Sequence, residues 1–142
     1  SPESEKAEAT DSSGLPSPYL VAEKMPEFQG GDLNTFRTWV QQHLKYPSEL
    51  YREGIEGRVV VTFVIERDGA LSSIKVMRSP HPLFTDAVVQ VLEQSPLWKP
   101  GIQKDRVVRV KYTLPVDFRI PPGTQASGAG NFGRSPGASR SY

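Results

Sequence analysis

Apolar and polar residues alternate along the stretch VVRVKYTLPVDFRI, from Val107 to Ile120. Every even-numbered position from Val108 onward is apolar, and the odd-numbered positions are mostly polar. A period of two predicts a β-strand with one dry face and one wet face. Pro115, in the middle of the stretch, has no N–H to donate to a sheet ladder, so we expect this strand at a sheet edge.

The segment RVVVTFVIERDGALSSIKVMRS predicts a β-hairpin. Asp68-Gly69 is typical of a tight turn between two antiparallel strands. The return strand places Ile74 and Val76 on one side. The apolar face of the first strand consists of Val59, Val61, Phe63 and Ile65.

Two segments have helical spacing of their apolar residues. The first, QGGDLNTFRTWVQQHLKYP, has Asp32 as a plausible N-cap and ends before Pro47; a further turn in SELYRE follows it. The second, HPLFTDAVVQVLEQSP, ends at Pro96. The apolar stripes are Leu33, Phe36, Val40 and Leu44 in the first helix, and Phe84, Ala87, Val88, Val91 and Leu92 in the second.

The predicted order is therefore helix, strand, strand, helix, strand. A right-handed return through the second helix places the third strand beside the first, antiparallel to it. We expect an α+β two-layer sandwich, with a three-stranded antiparallel sheet in the order second–first–third and two α-helices on one face.

Composition divides the chain into three parts. Residues 1–20 are rich in Ser, Glu and Pro, and residues 121–142 are rich in Gly and Ser, so both ends have the composition of disordered sequence. Residues 21–120 are dense enough in apolar side chains to form one domain.

Charge and residue usage exclude several classes. A formal net charge of +1 argues against a dedicated nucleic-acid-binding protein, and the lack of cysteine excludes disulfides and thiol chemistry. No stretch approaches the ~20 apolar residues that span a bilayer. The first residue is Ser rather than Met, so we expect an excised or processed fragment.

The candidate chemistry is sparse. His43 and His81, the only histidines, lie in different predicted elements and lack metal-ligand spacing. No nucleophile, base and orienting group occur in a recognisable motif, so we expect neither an enzyme nor a cofactor. Trp39 and Trp98 are expected to pack against the core rather than to bind a ligand.

The edge position of the last strand leaves two alternatives open. If the missing N–H of Pro115 points outward, then Arg109, Lys111 and Thr113, which share its parity, also direct their backbone groups outward. An open edge is either guarded, here by exposed Arg109, Lys111 and Arg119, or used as a groove for an added strand. The alternation alone does not decide between them.

Several motifs together resemble the C-terminal domain of TonB-family energy transducers. They are KYP, IEGRVVVTFVIERDG, LWKPG and VRVKYTLPVDFRI, in this order, and MPEFQGGD before the first helix resembles the Bacteroidota-type variant. The resemblance covers residues 25–120. The chain departs from the usual pattern at Gln29, where proline is common, and in a longer tail after Ile120.

The resemblance implies a periplasmic domain tethered to the inner membrane by an N-terminal anchor and a proline-rich linker that are absent from this chain. The implied partners are outer-membrane TonB-dependent receptors, whose TonB-box peptide adds to the last strand, and proton-driven inner-membrane motor proteins. Carried onto this chain, the docking strand runs from Arg106 to Leu114, and the second contact is His43, Leu44 and Lys45, with Tyr46 beside them. The docking strand comprises Arg106, Val107, Val108, Arg109, Val110, Lys111, Tyr112, Thr113 and Leu114.

Other interpretations stay open at this point. A TonB-like domain appended to a sensor or peptidase would recognise peptides without transmitting force. A small hydrolase or metal enzyme is opposed only by the lack of motifs. The last strand could also pair edge to edge in a homodimer, or be covered by the C-terminal tail.

Overall fold

The computed structural model describes residues 14–121, and the predictions for residues 1–13 and 122–142 lie outside this range. The helices are α1 (Leu33–His43), α2 (Ser48–Arg52) and α3 (Pro82–Glu93). The strands are β1 (Gly57–Ile65), β2 (Leu71–Arg78), β3 (Gly101–Gln103), β4 (Arg106–Val108) and β5 (Val110–Phe118). None of the helices in residues 14–121 has the length and hydropathy of a membrane-spanning segment.

The main sheet has the order β2-β1-β5, and both pairs are antiparallel. This confirms the predicted fold class and strand order. β1 and β5 pair without interruption from Gly57 opposite Phe118 to Ile65 opposite Val110. Because this ladder is continuous, it fixes which backbone groups of β5 face β1 and which face away.

Among the described helices, α1 and α3 begin at side-chain caps. The Asp32 carboxylate accepts hydrogen bonds from the amides of Asn34 (3.0 Å) and Thr35 (3.3 Å) at the start of α1. At the start of α3, Nδ1 of His81 accepts one from the Leu83 amide at 3.0 Å. His81 therefore has a structural role as an N-cap.

One hydrophobic core lies between the helices and the sheet. Phe84 stacks on Phe118 with ring centroids 4.1 Å apart. Both tryptophans pack against this core, as predicted: Trp98 is 3 % exposed, and Trp39 stacks on Phe36 at 5.7 Å. Each large apolar side chain buried here contributes about 1.5–3 kcal/mol. The largest fully buried side chains are Phe28, Phe36, Phe63, Phe84, Phe118, Ile65, Leu92, Leu114, Val40, Val59, Val61 and Val88.

The prediction of one uninterrupted strand over residues 107–120 is wrong, because the strand is divided at Arg109. β4 folds back on β3, with Gly101 opposite Val108, and forms a small two-stranded sheet. The turn between them has positive φ at Lys104 (51°) and Asp105 (61°), as in a type I′ hairpin turn. Neither residue is glycine or asparagine, so this turn was not predicted from the sequence.

An extended N-terminal segment, residues 14–28, runs along the edge of the domain and is here called the strap. It forms isolated bridges between Tyr19 and Val110, parallel, and between Lys24 and Ile102, antiparallel. Phe28 at its end is fully buried. Contacts with the sheet thus already occur at Tyr19, inside the segment that composition assigned to a linker.

Candidate peptide-binding edge

The backbone groups of β5 alternate between its two flanks. Pro115 lies opposite Val60 and has no N–H, so it occupies a position that does not bond to β1. Lys111 and Thr113 alternate with the bonded residues in the same way as Pro115 does, so their N–H and C=O groups point away from β1. The geometry assumed from the sequence is correct in this respect.

The strap occupies the start of this outer flank. The Tyr19 amide donates to the Arg109 carbonyl at 2.9 Å, and the Lys111 amide donates to the Tyr19 carbonyl at 2.8 Å. One residue of the strap thus behaves as a short parallel strand beside β5. The Lys111 N–H, which the sequence predicts to point outward, does so but already has an acceptor.

A side chain occupies the other end of the flank. The amide nitrogen of Gln41, on α1, donates to the Asp117 carbonyl at 2.9 Å. The Asp117 amide donates to the Gln41 side-chain oxygen at the same distance of 2.9 Å. Gln41 therefore satisfies both outward backbone groups of Asp117, as the peptide unit of a neighbouring strand would.

Between Tyr19 and Gln41 lies a gap, here called the open window. It consists of the Lys111 carbonyl, the N–H and carbonyl of Thr113, and the Pro115 carbonyl. Within residues 14–121 none of these groups has a hydrogen-bond partner. The side chains of Lys111 and Thr113 are exposed.

Arg109 is not one of the exposed cations that the alternation indicated. The residue is 3 % exposed, and its guanidinium forms a two-pronged ion pair with Glu66, at 2.7 Å from Nε to Oε1 and 3.0 Å from Nη2 to Oε2. Nη1 also donates to the Pro16 carbonyl at 2.6 Å. Arg109 therefore connects the strap to the β1–β2 turn, and within the alternative of a guarded edge it is not one of the solvated cations.

Glu66 is held as a carboxylate by these partners. Its partial burial acts to raise the pKa, but hydrogen bonds from Arg109 and the Ser72 hydroxyl outweigh burial, and the pKa lies below its usual value. The ionised form is therefore favoured in the folded domain.

An ion-pair cluster lies at the far end of β5. Asp117 is 2.7 Å from a guanidinium nitrogen of Arg37 and 2.7 Å from Nε of Arg58. The hydrogen bond from Arg58 is the main cause that lowers the pKa of Asp117, and burial opposes it. Nε of Arg37 is buried and has no acceptor within the described residues.

The predicted second contact lies beside this cluster. His43 stacks on Trp39 with ring centroids 4.4 Å apart, and its Nδ1 is 2.8 Å from the Trp39 carbonyl. Leu44 and Tyr46 line an open cleft next to the end of β5, and Lys45 is exposed. The Tyr46 hydroxyl donates to the Ile55 carbonyl, which fixes the ring.

The predicted docking strand is thus distributed over three environments. Arg106, Val107 and Val108 belong to β4 and pair with β3. The even-numbered residues Val110, Tyr112 and Leu114 are buried and pair with β1. Only Lys111 and Thr113 contribute to the open window.

Two features of this flank were missed by sequence reasoning, namely the strap at Tyr19 and the side-chain amide of Gln41. Tyr19 lies in a Ser- and Pro-rich stretch without strand periodicity, and Gln41 looks like any polar residue of an amphipathic helix. No signal in a single sequence would have found either.

The fold and the edge together define a class: a small α+β domain whose sheet has one flank partly unpaired, as in domains that take up a peptide as an added strand. Within residues 14–121, no group of three His, Asp or Glu side chains is placed to hold a metal ion.

Comparison with known proteins identifies the family. The model of the family described as "Gram-negative bacterial TonB protein C-terminal" matches residues 42–120, which is more than half of the chain. The chain therefore belongs to this family, as the resemblance had indicated. No curated protein matches it at a significant level.

Solved structures of the same kind are similar to this chain. The solution NMR structure of the Pseudomonas aeruginosa TonB CTD is 32 % identical, covers 54 % of this chain and 78 % of its own, and gives a TM-score of 0.47. An NMR structure of the Helicobacter pylori TonB-CTD is 25 % identical, covers 61 % of this chain and 90 % of its own, and gives a TM-score of 0.46.

Proposed function

We propose that this chain is the periplasmic domain of a TonB-type energy transducer, and that it binds the TonB-box peptide of outer-membrane receptors by strand addition at β5. The observation that carries the proposal is the open window at Thr113, the unpaired stretch of an otherwise paired flank. Membership of the TonB C-terminal family supports it. The domain is tethered to the inner membrane by a segment that precedes it.

The open window suits reversible capture. Each backbone hydrogen bond contributes about 0.5–1.5 kcal/mol net, so the few bonds available at Lys111, Thr113 and Pro115 give modest affinity. A pull along the added strand, however, loads these bonds simultaneously. Modest affinity combined with resistance to shear is what a transient mechanical link requires.

In this proposal the inner-membrane motor proteins supply energy from the proton gradient. The tether passes the resulting force to β5 and from there to the receptor, which imports its nutrient. The sequence upstream of Ser1 separates this function from the alternative of an appended peptide-recognition domain. A single transmembrane segment followed by a proline-rich linker supports transduction, and a multi-span enzyme domain contradicts it.

The matched variants Thr113→Pro and Thr113→Val test the binding edge. Proline removes the outward N–H, whereas valine keeps it and loses only the hydroxyl. Pro115 already occupies a position of the same parity, so Thr113→Pro is expected to leave the β1–β5 ladder intact. Amide shift changes on titrating a receptor N-terminal peptide should vanish in Thr113→Pro and persist in Thr113→Val.

Folding of Thr113→Pro is checked by its thermal midpoint and its dispersed amide spectrum. If the folded proline variant binds the receptor peptide as well as wild type does, strand addition at the open window is wrong.

A further inference from the structure

The contact of Gln41 with Asp117 limits how many outward backbone groups of β5 are available to an added strand. We propose that Gln41 is a displaceable latch: a partner strand that extends past Thr113 displaces the Gln41 side-chain amide from the backbone of Asp117. The same strand then places an acidic residue in the cleft between α1 and the end of β5. The inference rests on the proposed function, because it assumes that β5 accepts an added strand.

The two ends of the open window differ in how firmly they are closed. At the start, the strap is a backbone segment held by the Tyr19 bonds, by the Arg109 bond to Pro16 and by Ala22, which is 5 % exposed. At the far end, the two contacts come from a single side chain with three rotatable bonds. A rotamer change of Gln41 releases both groups of Asp117, whereas opening the other end requires the strap to detach. An added strand therefore extends most readily toward Asp117.

Displacement of Gln41 opens the way into the cleft between α1 and the end of β5. Its lining residues are Arg37, Gln41, Leu44, Tyr46, Asp117, Phe118 and Arg119. Its charged residues are two arginines and one aspartate, and the ring of Tyr46 lies against Phe118 with centroids 5.5 Å apart. The cleft thus combines an apolar floor with a charged rim.

The charges select an acidic occupant. Arg37 and Arg58 share the Asp117 carboxylate, and Arg119 adds a further exposed cation. The other anion at this end is Glu56, which accepts from the Ile120 amide at 2.7 Å, so three positive charges face two negative charges. The buried Nε of Arg37 lacks an acceptor within residues 14–121. A glutamate or aspartate of the partner supplies a further negative charge beside these arginines.

The experiment uses capped synthetic peptides of alternating Thr and Val, titrated by amide chemical shift against the full chain. A five-residue peptide covers only the open window. Two nine-residue peptides extend beyond it. One carries glutamate next to each end, and the other carries glutamine at the same positions. One such residue therefore reaches the cleft whether the peptide lies parallel or antiparallel to β5.

Gln41→Leu removes the latch and keeps the side-chain size. It is expected to bind the nine-residue glutamate peptide three- to tenfold more tightly than wild type does, because no bonds must be broken first. Affinity for the five-residue peptide should not change. Gln42→Leu, an exposed neighbour on α1, is the matched control and should alter neither affinity.

Arg119→Gln tests the choice of an acidic residue. Wild type should prefer the glutamate peptide over the glutamine peptide severalfold, and Arg119→Gln should reduce that preference at least twofold. Arg78→Gln removes an equal charge from the opposite edge of the sheet, on β2, and should leave the preference intact.

The outcomes separate the two proposals. If the five-residue peptide binds and Thr113→Pro abolishes its binding, but Gln41→Leu leaves the long peptides unchanged or weaker, the latch is wrong and the proposed function stands. Equal affinity for glutamate and glutamine peptides refutes the acidic occupant. If none of the peptides, nor a receptor N-terminal peptide, binds at β5, both proposals are wrong.

Discussion

Replacing Arg109 with methionine removes the guanidinium that joins the strap to the β1–β2 turn. Arg109→Met preserves much of the side-chain volume but loses the two-pronged ion pair with Glu66 and the hydrogen bond to the Pro16 carbonyl. Glu66 then keeps only the Ser72 hydroxyl as a described side-chain partner. The variant thus leaves a partly buried carboxylate without its cation.

The expected loss follows from the burial of the two partners. Removing one member of a fully buried ion pair costs about 3–5 kcal/mol. The Arg109 side chain is 2 % exposed, but that of Glu66 is 20 % exposed and regains some hydration. We therefore expect the free energy of unfolding to fall by about 2–4 kcal/mol at neutral pH.

The loss should depend on pH with a definite sign. The folded-state pKa of Glu66 lies below its ordinary value of 4.5, so the stabilisation from its ionised form is complete above that pH. It disappears as pH falls through the lowered folded-state pKa. The difference between wild type and Arg109→Met should therefore shrink below pH 4.5.

Urea unfolding followed by the fluorescence of the two tryptophans, Trp39 and Trp98, measures this difference at pH 7 and at pH 3. Arg106→Met, an exposed arginine three residues away, is the control and should change stability by less than about 0.5 kcal/mol. A loss under about 1 kcal/mol at pH 7 in Arg109→Met, or an equal loss at both pH values, would refute the assigned role of the ion pair.

Two further variants, one single and one double, test the turns. Gly69→Ala should lower the free energy of unfolding by about 2–4 kcal/mol in the same urea assay, because φ at Gly69 is +88° and a Cβ would lie 2.0 Å from the Trp98 carbonyl oxygen. A loss below about 1 kcal/mol would contradict this packing. Replacing Lys104 with Asn and Asp105 with Gly should instead raise stability by about 0.5–1 kcal/mol, because both residues have positive φ; a destabilised double variant would show that the turn is not of the I′ kind.

The sequence predicted the main sheet because local signals agreed with the global arrangement. Asp68-Gly69 specified the β1–β2 hairpin. Two backbone hydrogen bonds close the turn: the Glu66 amide donates to the Ala70 carbonyl, and the Gly69 amide donates to the Glu66 carbonyl. Pro115 identified β5 as an edge strand before its neighbours were known. In each case the residue itself carries the constraint, either as a conformational preference or as a missing donor.

The features that escaped prediction depend on contacts between distant parts of the chain. Arg109 fits the alternation of β5 as a polar position, yet its burial is decided by Glu66 and by a strap 93 residues away in sequence. The Lys104-Asp105 turn depends partly on the Glu23 carboxylate, which accepts from the Lys104 amide at 2.8 Å. Periodicity describes faces of one element and contains no information on such partners.

The same limit applies to the binding edge. Parity alone predicts that Lys111 and Thr113 have outward backbone groups, and the structure confirms this. The division of that flank into a segment paired with the strap, an open window and a segment capped by Gln41 requires coordinates. The boundaries of the proposed site therefore come from tertiary structure, whereas its proposed location on β5 was suggested by Pro115.

Amide hydrogen exchange at Thr113 tests the open window most directly. In the free protein the Thr113 amide should exchange at least roughly tenfold faster than those of Lys111 and Leu114, which are bonded to Tyr19 and to β1 respectively. Addition of a receptor N-terminal peptide should slow Thr113 selectively. A Thr113 amide that is already as protected as its neighbours without peptide, or that is unaffected by peptide, would contradict strand addition at β5.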